Sequence, residues 1–192
     1  GFCLPNKGFL QLIRAISIIR REGYEIHLTI LSPSYGDISD DYSLQINDLI
    51  KELNISYLVN HDLRYHSNED INQFLSNVDL IVYPYQDSNE SSSASVRQGL
   101  SSNISLIVTP IKIFDDVSEV VAKFGGLDEK YIAKGIMSFL GIDKKNSKCI
   151  NRPNIKDVLS WKELHNFSVL SNRLENMIKG LEINSEFLSH DY

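Results

Sequence analysis

Two short stretches of this sequence carry the residue types needed to hold a negatively charged ligand. In the first, Tyr85-Gln-Asp-Ser-Asn-Glu90-Ser-Ser-Ser93, the pattern predicts a helix beginning near Glu90. A helix start presents free amides and the positive end of its dipole. The small hydroxyl side chains of Ser91, Ser92 and Ser93 let an anion come close to that backbone, and phosphate is the obvious guest. Serine-rich helix starts also cap their own helices, so the triplet has a bland reading beside the functional one. The second stretch is Gly1 to Gly8, where Lys7 heads the first predicted helix. A lysine there can act as a point charge on a diphosphate. Taken alone, such a lysine is more often just a solvated side chain, and the pair of loops says more than either one.

Other chemistries lose support by what is missing. There is no G-x-G-x-x-G after a strand and no G-x4-G-K-[ST], which removes the usual dinucleotide and phosphate-loop fingerprints. No Asp-x-Asp occurs. The five histidines, His27, His61, His66, His165 and His190, show no H-E-x-x-H or Cys/His ligand spacing, so no metal site is expected. His27 reads as a strand residue and the others as surface residues. The pairs Asp40-Asp41 and Asp115-Asp116 read as helix-start residues favoured by the dipole rather than as a catalytic dyad.

The 192 residues carry 25 acidic and 19 basic side chains, a formal net charge of −6. That balance argues against a nucleic-acid partner, which selects for basic stripes. Apolar residues make up 42% and charged residues 23%, the composition of a soluble globular domain rather than a disordered chain. No run approaches a membrane span and nothing at the start reads as a secretory leader. Cys3 and Cys149 lie far apart in unrelated contexts, which fits free thiols in a reducing compartment and points to the cytoplasm.

The elements that must position the two loops alternate in type. Lys7 to Glu22 spaces Phe9, Leu10, Leu12, Ile13, Ile16 and Ile19 as one helical face, and Gly23 stops it. Strands are expected over Ile26 to Leu31, Ile55 to Val59, Leu80 to Tyr83 and Ser105 to Thr109. Helices are expected over Asp41 to Leu53, from the capping box Ser67-Asn-Glu-Asp70 to Asn77, from near Glu90, and over Phe114 to Val121, Glu129 to Leu140 and Trp161 to Ile178. The last is amphipathic through Leu164, Phe167, Leu170, Leu174 and Ile178. This order predicts βαβ units: a doubly wound, Rossmann-like parallel sheet with helices on both faces. Ligands of such sheets sit outside the carboxyl ends of the strands, where both candidate loops lie. A domain over residues 1–180 followed by a tail or linker over 181–192 is expected.

Several of these residues together resemble a known family. Pro5-Asn-Lys-Gly8 opening a helix, Val78-Asp-Leu-Ile-Val-Tyr-Pro84, Glu90-Ser-Ser-Ser-Ala-Ser-Val-Arg-Gln98 and a strand ending in Thr109-Pro110 look like the nucleotide-sugar-binding, C-terminal half of a family 4 glycosyltransferase of GT-B architecture. The resemblance runs from Gly1 to about Leu140 and is most specific from Asp79 to Arg97. The Trp161 helix resembles that family's closing helix.

The resemblance implies a metal-independent donor-binding domain that transfers a hexose from a nucleotide-diphosphate sugar, with retention, in glycan or polysaccharide biosynthesis. Lys7 corresponds to the lysine that contacts the donor diphosphate. Glu90 corresponds to the first glutamate of the Glu-x7-Glu motif, which contacts the sugar, and Ser91, Ser92 and Ser93 to the amides that hold the phosphate. The second glutamate, which grips the ribose, is here Gln98; it keeps an acceptor but loses charge-assisted strength. Phe2 stands where the family often has a second cation. The region Val59 to Leu63 is the expected base wall. No cofactor is implied beyond the nucleotide-sugar substrate.

The acceptor would be bound by a separate domain, in the same longer polypeptide or a partner, so this chain by itself is expected not to complete a transfer. The family's first, central strand ends where Gly1 begins, which makes the chain an expected part of a larger protein, with any peripheral membrane contact left to its other parts. The alternative is a degenerate, non-catalytic domain that keeps the fold for nucleotide binding or protein contact, motivated by Phe2 and Gln98. An unrelated Rossmann-like domain, such as a response-regulator-like module, ranks last, since no acidic cluster assembles at the strand ends.

Overall fold

The apolar spacing of the first helical stretch has its counterpart in the computed structural model of the chain, where Leu12, Ile13, Ile16 and Ile19 are all buried on α1 (Phe9–Arg21). The structure describes residues 1–102, 104–142 and 150–188, with side chains to residue 181. Cys149, His190 and the end of the expected tail lie outside the described residues.

Strands and helices alternate as the sequence pattern requires. β1 (Leu28–Leu31) pairs in parallel with β2 (Val59–Asp62), Leu28 opposite Val59. β3 (Ile81–Tyr83) pairs in parallel with β4 (Leu106–Val108), Ile81 opposite Leu106, and β4 with β5 (Ala122–Lys123). The intervening helices are α2 (Asp37–Glu52), α3 (Asn68–Leu75) and α4 (Ala94–Ser101), followed by α5 (Glu129–Phe139). α1 packs on both α2 and α5. One core joins α1, α2 and α5 to Ile30 of β1 and Ile107 of β4, where burial of branched side chains stabilises by about 1.5–3 kcal/mol each. The result is an α/β fold of parallel strands flanked by helices, Rossmann-like in type. Its ladder falls into two parts among the described residues, β1–β2 and β3–β4–β5.

Several boundaries differ from the sequence pattern, each for a physical reason. The second strand lies over Val59–Asp62 rather than Ile55 to Val59. Ile55 and Leu58 are apolar because both are buried in the turn beyond α2, while the strand itself runs through polar Asn60, His61 and Asp62. α2 starts at Asp37, ahead of Asp41. Phe114 to Val121 is not an α-helix: a 3-10 turn, Lys112–Val117, leads into β5. The single helix expected over Trp161 to Ile178 is two, α6 (Ile155–Leu164) and α7 (Phe167–Leu188), the second begun by Asn166, whose Oδ1 accepts from the Val169 amide at 2.9 Å.

The chain divides into two compact units, Gly1–Arg152 and Pro153–Tyr192. The second consists of α6 and α7, and α7 runs on through residue 181. Its apolar residues Leu170, Leu174 and Ile178 are exposed rather than buried. None of the helices among the described residues is long and apolar enough to cross a membrane.

Candidate anion-binding site

Both candidate loops follow the carboxyl-end rule, and the chain stitches them together. Pro5–Lys7 forms a 3-10 turn closed by Gly8, whose φ of 74° lies in the left-handed region that favours glycine. A second constraint acts at the same residue: a Cβ there would stand 1.9 Å from the Pro84 carbonyl oxygen. The Gln86 amide donates to the Asn6 carbonyl at 2.8 Å, and Asn6 Nδ2 donates to the Asp87 carbonyl at 3.2 Å. The opening turn and the loop after β3 are thus one backbone unit.

That contact buries Lys7, which is 7% exposed. Its Nζ lies 4.0 Å from the centroid of the Tyr85 ring, a cation–π contact. The Tyr85 hydroxyl is 3.4 Å from Ser93 Oγ, and Ser93 is the N-cap of α4, accepting from the Val96 amide at 3.3 Å. The cation of one loop and the helix start of the other therefore meet on a single aromatic side chain. Tyr85 is itself fixed: Thr109 Oγ1 donates to its carbonyl, and its ring packs edge-on to Tyr83 at 6.1 Å and tilted against Phe114 at 5.2 Å. No acidic side chain pairs with Lys7 among the described residues.

The rest of the expected set is distributed differently. α4 begins at Ala94, not near Glu90, because Ser93 takes the capping role. Glu90, Ser91 and Ser92 precede the helix and are exposed. Ser93 is buried and committed to its cap, the bland reading of that one serine. Arg97 Nη1 donates to the Ser93 carbonyl at 3.3 Å while its other terminal nitrogen pairs with Asp116. Gln98 donates its amide to Asn68 Oδ1 at 3.2 Å, leaving the carbonyl for another donor. Val59 is a core residue at the amino end of β2, whereas half-buried Leu63 follows its carboxyl end, so the two do not form one wall. Phe2 packs its ring 4.7 Å from Tyr35.

A cavity of about 460 Å³ runs between β1 and β3, lined along its length by both strands and at one end by Gly1, Lys7, Tyr85, Ser95 and Gln98. β1 pairs only with β2, and β3 only with β4, so both edges that face this slot are unpaired among the described residues.

Sequence reasoning missed two further groups near the strand ends. Asp62 accepts from the Arg64 guanidinium through three bonds of 2.6 to 3.2 Å and from the Arg64 backbone amide at 3.0 Å, and lies 3.1 Å from His66 Nε2. The Arg64 hydrogen bonds hold its carboxyl well below the usual carboxylate range. His61, expected on the surface, is half-buried beside Cys3 and Ser32, its Nε2 3.0 Å from Ser32 Oγ, and burial pulls its pKa down. Burial also pushes the Cys3 thiol up, so it is a poor nucleophile. Among the described residues no cluster of three His, Cys, Asp or Glu side chains is arranged to hold a metal. The aromatic residue immediately after the strand-ending Pro84 was the one available signal for Tyr85.

Known proteins match this architecture by structure rather than by sequence. No protein-family model matches the sequence, and no curated protein matches it. A sucrose-phosphate synthase from Thermosynechococcus elongatus superposes with a TM-score of 0.75 at 14% identity, over 96% of this chain and 44% of that one. A trehalose-6-phosphate synthase studied for glycosyl transfer with retention gives 0.62 at 11% identity, over 78% and 37%. The C-terminal domain of a group 1 glycosyl transferase, LpcC, from Francisella tularensis gives 0.60 at 11% identity, over 75% of each chain. The chain thus spans less than half the length of the two synthases. Its fold is that of the C-terminal, Rossmann-like half of a GT-B glycosyltransferase.

Proposed function

We propose that this chain is the donor-binding domain of a retaining, family 4-type glycosyltransferase, taking a nucleotide-diphosphate sugar and acting within a longer polypeptide or with a partner that holds the acceptor. The observation that carries the reading is Lys7: a buried lysine without an acidic partner among the described residues, its ammonium over the Tyr85 ring whose hydroxyl reaches the N-cap of α4. A buried cation left unpaired is costly, and a helix start adds positive potential, so the place favours an incoming anion. A pyrophosphate leaving group fits, because cleavage of the sugar–phosphate bond leaves negative charge on its oxygen. A lysine and backbone amides aimed there stabilise that charge as it develops, the role a metal ion fills elsewhere.

Glu90 then faces the sugar and Gln98 the ribose, through the carbonyl that Asn68 leaves free. Retention is supported by the architecture shared with a synthase described as transferring with retention. The two unpaired strand edges around the slot support a domain whose sheet is completed by a strand from elsewhere in a longer chain. A buried free thiol, Cys3, suits the reducing cytoplasm.

A titration by calorimetry with UDP, ADP, GDP and their glucose conjugates tests the reading, with Lys7→Met alongside. One nucleoside diphosphate is expected to bind, and Lys7→Met to weaken it at least about tenfold, the loss of a charge-assisted contact. Failure of every nucleotide to bind, or indifference to Lys7→Met, removes the basis of the donor site. Phe2 on Tyr35 and the neutral Gln98 favour a second reading, a nucleotide-binding domain without catalysis. Binding without sugar transfer by the full-length polypeptide would select it.

A further inference from the structure

Tyr85 has no role in the donor reading, yet it is the side chain through which the two loops meet. Its ring lies 4.0 Å from the Lys7 ammonium, and its hydroxyl reaches the N-cap serine of α4. It cannot drift, since Thr109 holds its carbonyl and Tyr83 and Phe114 bracket its ring. A lysine stem has four rotatable bonds and, at a loop, ordinarily extends its ammonium into water. Here it is 7% exposed without an ion pair among the described residues, which leaves the π face to hold it. We propose that Tyr85 is a positioning residue: its ring holds the Lys7 ammonium beside the start of α4, so that a bound diphosphate meets a cation already in place.

This inference rests on the donor reading for its ligand but not for its contact. The ring covers one side of the ammonium, and the N–H groups on the other side are free for phosphate oxygens. Without the ring the stem regains its rotamers, and binding must again restrict them, which lowers affinity.

The test compares four forms of the chain: wild type, Tyr85→Phe, Tyr85→Leu, and pentafluorophenylalanine at position 85. The last keeps the packing of phenylalanine but reverses the polarity of the ring face. Two readouts are taken, the rate of reductive methylation of Lys7 followed by mass spectrometry, and affinity for UDP, ADP and GDP. Wild type and Tyr85→Phe are expected to methylate Lys7 slowly and to bind alike. Tyr85→Leu and the fluorinated form are expected to methylate it about tenfold faster and bind about tenfold more weakly, the scale of a desolvated cation–π contact.

Equal behaviour of the phenylalanine and fluorinated forms in both readouts overturns the proposal, and that pair decides even if Tyr85→Leu does not fold. Faster methylation in the fluorinated form with unchanged affinity also overturns it, because the ring then holds Lys7 without serving the ligand. If wild type binds none of the nucleotides, the donor reading falls and takes the ligand half of the proposal with it; methylation still judges the contact.

Discussion

Lys7 and Tyr85 are 7% and 3% exposed, whereas Glu90, Ser91 and Ser92, a few residues along the same loop, stand in solvent. The buried half is cross-linked by backbone: Gly8 sits against Pro84, and the Gln86 amide bonds to Asn6. The bonds of the exposed half are local, from the Ser88 amide to Asp87 Oδ1 at 2.7 Å and from the Glu90 amide to Ser88 Oγ at 3.2 Å. A cation must be held where its desolvation is balanced, so its surroundings are rigid and belong to the fold. Groups that hydrogen-bond to a sugar work from the surface and can be altered without touching the core. Substitutions in the first half should therefore act through stability as well as binding, and substitutions in the second through binding alone.

Gly8→Ala strikes the buried half hardest. The new methyl would meet the Pro84 oxygen at 1.9 Å, and the φ of 74° disfavours any side chain. Backbone strain and overpacking together cost about 2 to 5 kcal/mol. Against a typical total stability of about 5–15 kcal/mol, urea denaturation should register a large fall in midpoint. An unchanged midpoint would mean that the two loops are not locked, and the contrast between the halves would collapse.

Ser93→Ala tests the hinge between the halves with a smaller effect. It removes the bond to the Val96 amide and the partner of the Tyr85 hydroxyl. Loss of a helix cap costs about 1 kcal/mol, and an orphaned buried hydroxyl about 1–3 more. A loss of about 2–4 kcal/mol in the same urea experiment is expected, short of the upper end for Gly8→Ala. A larger loss for Ser93→Ala than for Gly8→Ala would reverse the ranking of the two contacts.

The buried half was legible in the sequence where periodicity or local chemistry writes it. The α1 face appears as Leu12, Ile13, Ile16 and Ile19, and the capping box at Ser67 and Asp70 is present with both of its bonds. Lys7 was singled out, but its partner Tyr85 was not, because a cation–π pair separated by 78 residues leaves no spacing to read. The limits of β2 were misread for a related reason. Ile55 and Leu58 fill the core from a turn, and an apolar run does not say whether strand or turn delivers it. β5 is two residues long, too short for any alternation. The start of α4 moved from Glu90 to Ala94 because the serines offered several caps, and only packing against Tyr85 selects Ser93. The amphipathic pattern beyond Trp161 marked helical sequence but missed the break that makes two helices of it, and its apolar face is exposed in the unit Pro153–Tyr192; periodicity reports a face, not what covers it.

Glu90→Gln should have the smallest effect on the fold and is the sharpest test of the exposed half. The carboxylate is exposed and forms no ion pair among the described residues, so its loss should change stability by less than about 0.5 kcal/mol. Its proposed work is a charge-assisted hydrogen bond to the sugar, not to the phosphates. Affinity for the nucleotide sugar should fall roughly tenfold while affinity for the bare nucleoside diphosphate stays level, because only the former presents hydroxyl groups to it. Lys7→Met should weaken both ligands together, since both carry the diphosphate. If Glu90→Gln weakens the bare diphosphate as much as the sugar conjugate, its carboxylate is acting on the shape of the loop. The exposed stretch would then belong to the same rigid unit as Lys7 and Tyr85.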